Sequence, residues 1–351
     1  MKLNRKLLAQ MRSATRSLWN VGPVTPGAMV RQAMQNVSAI QREANYQMQQ
    51  QLRDAGAPPQ PAFAGEQPTE AMAPRAVPAG RFIDGSYANA AGRRDYKLYV
   101  PGSYTRSPVP LVVMLHGCSQ DPDDFARGTG MNLLADEIGC LVLYPAQSGS
   151  ANSSRCWNWF NAVDQRRDQG EPSIIAGMTL QIMDHHAVDP GQVYVAGLSA
   201  GGAMATIMGT LYPDLYAAVG VHSGLPFASA HDLSSAMAAM KGDFRRAQAP
   251  ERTLPIIVFH GDRDNTVHPA NGDELVRHLA QAGMTEPGRV PDGHAYTRTV
   301  YPGDDGILHA EHWLVHGAGH AWFGGNARGS YTDGRGPDAS REMMRFFRTR
   351  R

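Results

Sequence analysis

A serine between two glycines is the first feature of the sequence that could carry out chemistry. Gly197, Ser199 and Gly201 form the pattern G-x-S-x-G, in which a serine hydroxyl can act as a nucleophile. Residues 193–196 are apolar and typical of a buried strand, and the residues from Gly202 onward are typical of a helix. This context predicts a nucleophile elbow, because a sharp turn between strand and helix exposes the hydroxyl. The alternative is a glycine-rich turn with a bystander serine.

A nucleophilic serine needs a histidine to take its proton and an acid to orient that histidine. In folds with this elbow, the acid follows the serine along the chain and the histidine follows the acid. Asp264 lies beyond Ser199, in a loop that leaves the apolar run 256–259. We therefore predict Asp264 as the acid, with Asp262 of the same loop as the alternative. Without the upstream serine, either would be interpreted as a solvated turn aspartate.

The chain contains 13 histidines, and their positions along the predicted strands separate them. His320 lies in a glycine-rich loop after the predicted strand 312–316, and from this loop an imidazole can reach the serine. We predict His320 as the base. His316 is predicted to lie inside the strand as a packed side chain, and His309 and His312 are predicted as strand positions.

No metal site or nucleotide loop is indicated by the motifs. Neither H-E-x-x-H nor C-x-x-C occurs, and neither G-x-G-x-x-G nor the phosphate-binding P-loop pattern fits the serine turn. The reaction of a serine with an ester requires no cofactor. We therefore predict no metal and no cofactor.

An early strand supplies candidates for the oxyanion hole. The apolar run 111–115 ends in His116 and Gly117, and an early strand of this kind usually provides one donor in the following loop. The other donor is the backbone N–H after the nucleophile. This assigns the N–H groups of Cys118 and Ala200. Taken alone, the His-Gly pair could equally be a plain turn at the end of a strand.

Three cysteines in so long a chain exclude a disulfide-dense scaffold. Cys140 begins an apolar run and has the character of a small buried hydrophobe. Cys118 and Cys156 both lie in predicted loops beside catalytic features, which favours them as a pair. Composition alone favours three free thiols.

The elements that position these residues alternate between strands and helices. Six apolar runs are typical of buried strands: 96–100, 111–115, 140–144, 193–196, 217–221 and 256–259. Amphipathic stretches typical of helices occur at 125–138, 174–185 and 203–211, and a last helix is predicted at 338–347. Residues 82–100 are predicted as an antiparallel hairpin. The fold class is therefore α/β, with a mostly parallel central sheet and helices on both faces.

The chain divides into three parts. The first 53 residues hold eight basic side chains and one acid, and an apolar helical face runs from Val30 to Leu52, so residues 1–54 are predicted as a basic amphipathic segment. Residues 55–80 contain six prolines and eight alanines, which is typical of a semi-rigid linker. Residues 81–351 are predicted as the catalytic domain, so that the N-terminal extension precedes it as a flexible segment.

Composition excludes several classes of protein. With 42% hydrophobic and 19% charged residues among 351, the chain is not a collagen, a coiled coil or a wholly disordered protein. The net charge of +1 gives no overall attraction to nucleic acid. No run of about 18 apolar residues occurs, so no transmembrane segment is predicted.

Several separate motifs together resemble the poly(3-hydroxybutyrate) depolymerase-type esterases of the α/β-hydrolase fold, from about residue 80 to the end. The motifs occur in this order: residues 115–118, 155–160, 197–201, 221–226 and 319–322. The resemblance implies Ser199, Asp264 and His320 as the catalytic triad and Cys118 as an oxyanion contributor. It also implies a disulfide between Cys118 and Cys156. It further implies an aromatic substrate groove, for which the candidates are Trp157, Trp159 and Trp322; packing in the core is the alternative for these tryptophans.

The implied activity is that of a serine esterase acting on short-chain polyhydroxyalkanoate polyester or its oligomers. The alternatives are a feruloyl or acetylxylan esterase and, in another class, a non-catalytic protein that binds polyester granules. Members of this family are commonly exported, whereas residues 1–54 show no recognisable signal peptide, so extracellular and cytoplasmic locations both stay open. We hypothesise that residues 1–54 contact a polymer granule or another interface.

Overall fold

The computed structural model describes residues 79–243, 254–303 and 308–349. The predicted basic segment at 1–54 lies outside the described residues. The predicted linker at 55–80 also lies outside them, apart from residues 79 and 80. Both stay predictions.

The described chain alternates between strands and helices. The strands are β1 (Arg81–Asn89), β2 (Gly92–Val100), β3 (Val109–Leu115), β4 (Leu141–Pro145), β5 (Val188–Leu198), β6 (Ala218–His222), β7 (Ile256–Gly261), β8 (Met284–Arg289), β9 (Ala295–Pro302), β10 (Leu308–Val315), β11 (Trp322–Phe323) and β12 (Thr332–Asp333). The helices are α1 (Pro122–Thr129), α2 (Met131–Ile138), α3 (Gly170–His185), α4 (Ala200–Leu211), α5 (Leu233–Met240), α6 (Ala270–Val276) and α7 (Ala339–Phe347).

Ten of the strands form one sheet in the order β1-β2-β4-β3-β5-β6-β7-β10-β9-β8. The strands from β4 to β10 in this order are parallel to one another. The hairpin β1–β2 extends one edge antiparallel, as predicted, and β9 and β8 extend the other edge. Because the central strands are parallel, their carboxyl ends meet at one edge of the sheet, which is where ligands bind in such folds.

Helices cover both faces of the sheet, as predicted. Alternate residues of β3 point to opposite sides, so Val113 belongs to one apolar cluster and Met114 to the other. The first cluster contains side chains of α3 and α4, and the second contains side chains of α1, α2 and α7. The prediction of an α/β fold with a mostly parallel sheet is confirmed, and the architecture is that of the α/β-hydrolases.

One of the predicted helices is divided in the structure, and α5 and α6 lie outside the predicted helical stretches. The amphipathic stretch 125–138 is two helices rather than one, because Gly130 adopts a left-handed conformation with φ of 64° between α1 and α2. Among the described residues, no helix has the length and apolar character needed to cross a membrane.

Candidate active site

Ser199 lies in the sharp turn between β5 and α4. Its backbone has a φ of 57° and a ψ of −120°, a conformation that residues with a side chain rarely adopt and that is typical of a nucleophile elbow. The flanking glycines are needed for close approach. A Cβ at Gly201 would lie 2.0 Å from the carbonyl oxygen of Leu115, and one at Gly197 would lie 2.3 Å from the carbonyl carbon of Gly201. The backbone therefore presents the serine hydroxyl at the carboxyl edge of the sheet.

The structure brings the predicted acid and base together. Asp264 follows β7, and its Oδ2 lies 2.7 Å from Nδ1 of His320 in the loop after β10. Its Oδ1 accepts hydrogen bonds of 2.9 Å from the backbone N–H groups of Thr266 and Val267. Burial alone would raise the pKa of Asp264, but the hydrogen bond from His320 and the neighbouring donors bring that pKa below its ordinary value. The carboxylate is therefore charged and can hold the imidazole in one tautomer.

The alternative acid, Asp262, is paired with a different histidine. Its Oδ2 lies 3.1 Å from Nδ1 of His316, and its Oδ1 accepts a 2.7 Å hydrogen bond from the N–H of Gly317. Nε2 of His316 lies 2.8 Å from the hydroxyl of Thr297. The prediction that His316 is packed inside a strand is wrong: β10 ends one residue earlier, and the partly exposed ring is held by polar partners instead.

Hydrogen bonds fix the loop after β3, which carries the predicted oxyanion donor. Nδ1–H of His116 donates to the carbonyl of Gly117 at 2.7 Å, and its Nε2 accepts from the N–H of Gln147 at 3.1 Å. Burial lowers the pKa of His116 to about 4, so the ring is neutral near pH 7. In this part of the described chain, neither the Cys118 nor the Ala200 N–H donates to another backbone carbonyl. This is consistent with their prediction as oxyanion donors, which stays a prediction.

A buried ion pair that the sequence analysis missed lies behind this loop. Arg94 of β2 donates to Glu171 in the first turn of α3 at 3.0 Å, and both side chains are buried. Glu171 also accepts from the backbone N–H of Asn158 at 2.7 Å and from its side-chain amide at 2.8 Å. This cluster anchors the segment that contains Cys156. Glu171 was missed because it precedes the apolar residues that indicated the helix.

The structure contains a disulfide between Cys118 and Cys156, while Cys140 is a buried free thiol. The pairing implied by the resemblance is confirmed. The bridge connects the loop after β3 to the segment that contains Cys156. The Arg94–Glu171 pair holds that segment in turn, so the loop after β3 is fixed through the bridge.

Alkylation of denatured, unreduced protein is expected to label Cys140 alone. The bridge closes a loop of 38 residues, which in the chain-entropy model stabilises the fold by about 3–4 kcal/mol. Intact-mass analysis gives the count, and alkylation after reduction should label all three cysteines as the control. Three labels without reductant, after purification under oxidising conditions, would contradict the bridge.

The three tryptophans predicted to line a substrate groove are packed inside the domain. Trp157, Trp322 and Trp159 expose 0%, 1% and 5% of their surface. The indole N–H of Trp157 donates to the carbonyl of His116, and that of Trp322 donates to the hydroxyl of Ser340. Trp157 and Trp322 have almost no accessible surface and Trp159 has little, so the structure favours the packing alternative for all three.

Histidines lie at the carboxyl ends of four parallel strands, a pattern that the sequence analysis did not use. His222 ends β6, His260 lies next to the end of β7, and His116 and His316 each follow a strand directly. Because the carboxyl ends of parallel strands meet at one edge of the sheet, histidines at the ends of several predicted strands could have predicted a cluster of histidines there. His260 is buried, and its Nε2 lies 2.8 Å from the carbonyl of Val267 and 3.6 Å from Oδ2 of Asp264.

Acid is expected to destabilise the fold between about pH 6.5 and pH 4. Burial lowers the pKa values of His116, His260 and His312 to about 4, and lowers that of His222 well below its ordinary value. In this window the unfolded chain binds more protons than the folded one, so stability falls as the pH falls. Each of these imidazoles lowers the free energy of unfolding by about 1.4 kcal/mol for each pH unit in this window. Thermal midpoints measured against pH test this, and an unchanged midpoint from pH 7 to 4.5 would contradict it.

A variant provides the control for that measurement. His312 lies in β10, as predicted, on a strand that carries none of the predicted catalytic residues. Replacing it with leucine removes one titrating ring, so the thermal midpoint of His312→Leu should depend less steeply on pH.

Among the described residues, no group of three histidine, cysteine or acidic side chains is arranged to hold a metal ion.

The sequence of the chain is similar to those of a known protein family and of several curated proteins. A model of the family described as esterase PHB depolymerase matches residues 94–286. Poly(3-hydroxyalkanoate) depolymerase C of Paucimonas lemoignei is 34% identical over 226 residues, which are 60% of this chain and 54% of that protein. Poly(3-hydroxybutyrate) depolymerase of Ralstonia pickettii is 31% identical over 251 residues, which are 65% of this chain and 51% of that protein. The chain thus spans about half the length of these two relatives.

Other similar proteins act on different esters. Feruloyl esterase B of Thermothelomyces thermophilus is 30% identical over 199 residues, which are 51% of this chain and 67% of that protein. The solved structure of an acetyl xylan esterase from Aspergillus awamori has a TM-score of 0.59 at 20% identity and covers 73% of this chain and 94% of its own, which shows the fold alone. Since the family model matches more than half of the 351 residues, the chain belongs to the esterase PHB depolymerase family.

Proposed function

We propose that the chain is a serine esterase that hydrolyses the ester bonds of short-chain polyhydroxyalkanoate polyester or its oligomers through an acyl-enzyme. The observation that supports this most directly is the 2.7 Å hydrogen bond between Asp264 and His320, at the edge of the sheet where Ser199 follows β5. A partly exposed serine, an acid and a histidine in this chain order are the parts that acyl transfer requires.

In the first half of the proposed reaction, the Ser199 hydroxyl attacks the ester carbonyl carbon. Nε2 of His320 takes the hydroxyl proton as the bond forms, and Asp264 stabilises the resulting imidazolium. The carbonyl oxygen becomes an oxyanion, for which the N–H groups of Cys118 and Ala200 are the proposed donors. His320 then protonates the alkoxide as the carbon–oxygen bond breaks, which releases the alcohol and leaves an acyl group on Ser199.

In the second half, water replaces the alcohol. His320 takes a proton from water, the hydroxide attacks the acyl carbon, and the same oxyanion donors stabilise the second tetrahedral intermediate. When this intermediate collapses, His320 returns the proton to Ser199 and the carboxylic acid is released. The enzyme ends in its starting state, and no other reactant is needed.

The substrate part of the proposal is supported by the relatives' names. Two curated relatives are depolymerases of polyhydroxyalkanoates, at 34% and 31% identity. Feruloyl and acetylxylan esterases are similar over comparable stretches, at 30% and 27% identity, so a carbohydrate esterase is the alternative. A non-catalytic granule-binding protein would not require an acid paired with a histidine on the loops that follow β7 and β10.

A side-by-side assay separates these functions. We expect release of hydroxybutyrate from polyhydroxybutyrate and its soluble oligomers at rates well above those for methyl ferulate and acetylated xylan. Ser199→Ala protein is the control for each substrate. Higher rates on ferulate or xylan acetate would favour the carbohydrate esterase. Granule binding without turnover of any ester, a p-nitrophenyl ester included, would favour the non-catalytic reading.

The proposal extends to a contact between residues 1–54 and the polymer granule, which rests on the sequence alone. A basic helix with one apolar face adsorbs at apolar–water interfaces. A chain beginning at Gly80 should therefore bind granules less and degrade polymer more slowly than the full chain, while its rate on a soluble ester is unchanged. Equal granule binding and equal polymer rates would remove this role from the segment.

A further inference from the structure

His222 ends β6, which lies beside the strand of the nucleophile. β6 pairs with β5 in parallel, with His222 opposite Leu198. The carbonyl of His222 accepts a 2.9 Å hydrogen bond from the backbone N–H of Ser199. This is a direct contact with the residue whose backbone is in the strained conformation. The main chain of His222 therefore holds the turn that presents the serine hydroxyl.

The side chain of the same residue holds the loop of the base. Nε2 of His222 accepts a 3.0 Å hydrogen bond from the backbone N–H of Phe323, three residues after His320. Since that nitrogen accepts, the proton of the neutral ring is on Nδ1, which lies 3.2 Å from the hydroxyl of Ser223. One residue thus contacts both catalytic segments, by its carbonyl on one side and its imidazole on the other.

The ring of His222 is fixed in place by its neighbours. It is fully buried and stacks on Trp322 at 5.1 Å and on Phe259 at 5.7 Å between ring centroids, with the edge of Phe323 at 4.4 Å. Burial lowers the pKa of the ring well below its ordinary value, His260 and His320 act in the same direction, and Asp264 opposes them. Because the ring is neutral near pH 7, Nε2 keeps its lone pair and the acceptor is always present.

We propose that His222 is a positioning residue that fixes His320 relative to Ser199. The inference rests on the proposed function, since it concerns the distance between the proposed nucleophile and base. Nucleophile and base must approach to about 3 Å, and a misplacement of about 1 Å can reduce a rate by about 10²-fold. Other contacts also hold the loop of His320: the Arg263 N–H donates to the carbonyl of Ala318 before it, and the Trp322 N–H donates to the carbonyl of Tyr331 beyond it. The contact with His222 differs from these because the same residue also accepts the hydrogen bond from the N–H of Ser199.

A pair of substitutions of similar size tests the acceptor. His222→Met fills the space without a strong acceptor, and His222→Gln places an amide oxygen where Nε2 now accepts. For the methionine variant we expect kcat to fall by about 10–100-fold while KM stays within about twofold, because substrate contacts are unchanged. The glutamine variant should recover at least part of the lost kcat. Wild-type kcat in His222→Met, or equal losses in both variants, would overturn the proposal.

Two further measurements keep the proposal testable if His222→Met does not fold. Ser223→Ala removes the partner of Nδ1–H but retains the imidazole, so kcat should fall by a few-fold with KM unchanged; a change in KM alone would count against positioning. A ¹⁵N spectrum of histidine-labelled protein should show His222 protonated on Nδ1, and protonation on Nε2 would overturn the proposal.

Ser199→Ala separates the positioning role of His222 from the proposed esterase function. If Ser199→Ala lacks turnover and His222→Met is fully active, the esterase function holds and the positioning role does not.

Discussion

Replacing Ser199 with alanine is expected to reduce ester turnover by about 10⁴-fold or more, and replacing His320 with alanine should have an effect of similar size. Without the hydroxyl no acyl-enzyme forms, and without the imidazole the hydroxyl keeps its proton. The two losses should not add in the double variant, because the residues act as one unit. Initial rates on a soluble p-nitrophenyl ester measure all three proteins.

Stability measurements accompany this first prediction as its control. The thermal midpoint of Ser199→Ala should match that of the wild type, because the serine side chain is only partly buried and no core contact is lost. His320→Ala should lower the midpoint slightly, because Asp264 keeps its two backbone donors but loses its imidazole partner. Full activity in folded Ser199→Ala protein would refute the proposed nucleophile.

Asp264→Asn is expected to lower kcat by about 10³–10⁴-fold, whereas Asp262→Asn should cost less than about tenfold. An asparagine at 264 can present its amide N–H to Nδ1 of His320, which stabilises the wrong tautomer and removes the charge that supports the imidazolium. Asp262 contacts His316 and the N–H of Gly317 instead, so its replacement loosens a loop without changing the tautomer of the base.

The two aspartate variants form a matched pair, since they lie two residues apart in one loop and undergo the same change. Measuring kcat for both on the same ester gives the comparison directly. Similar small losses in both would mean that neither carboxylate is essential, and a larger loss for Asp262→Asn would transfer the role of the acid to that residue.

The central strands and the candidate nucleophile could be predicted because each has a local signature. A parallel strand buried on both faces is a continuous apolar run, and the elbow needs its glycines within five residues. The strands β8 and β9 have no such signature: β8 is an edge strand whose residues are nearly all exposed and include Pro287. Their place in the sheet depends on the pairing of β9 with β10 and of β8 with β9, which are tertiary contacts.

The roles of the tryptophans and of His222 could not be read from the sequence for a related reason. An aromatic residue near a catalytic motif can face substrate or pack beneath it, and the motif is the same in both cases. Trp322 packs between the rings of Phe125 and His222. The contacts of His222 join segments that are a hundred residues apart, so no local pattern specifies them.

Close approach of backbone to backbone at two glycines holds both halves of the candidate active site. A Cβ at Gly201 would meet the carbonyl oxygen of Leu115, and a Cβ at Gly261 would meet the carbonyl oxygen of Ala318, in the loop that carries the proposed base. The backbone N–H of Arg263 also donates to the Ala318 carbonyl at 3.0 Å, so main-chain contacts join the loops of the proposed acid and base. Because packed backbone opens at a higher free energy than a loosely held loop, warming or mild denaturant should abolish activity together with the unfolding of the sheet. Loss of activity well before the sheet unfolds would contradict this.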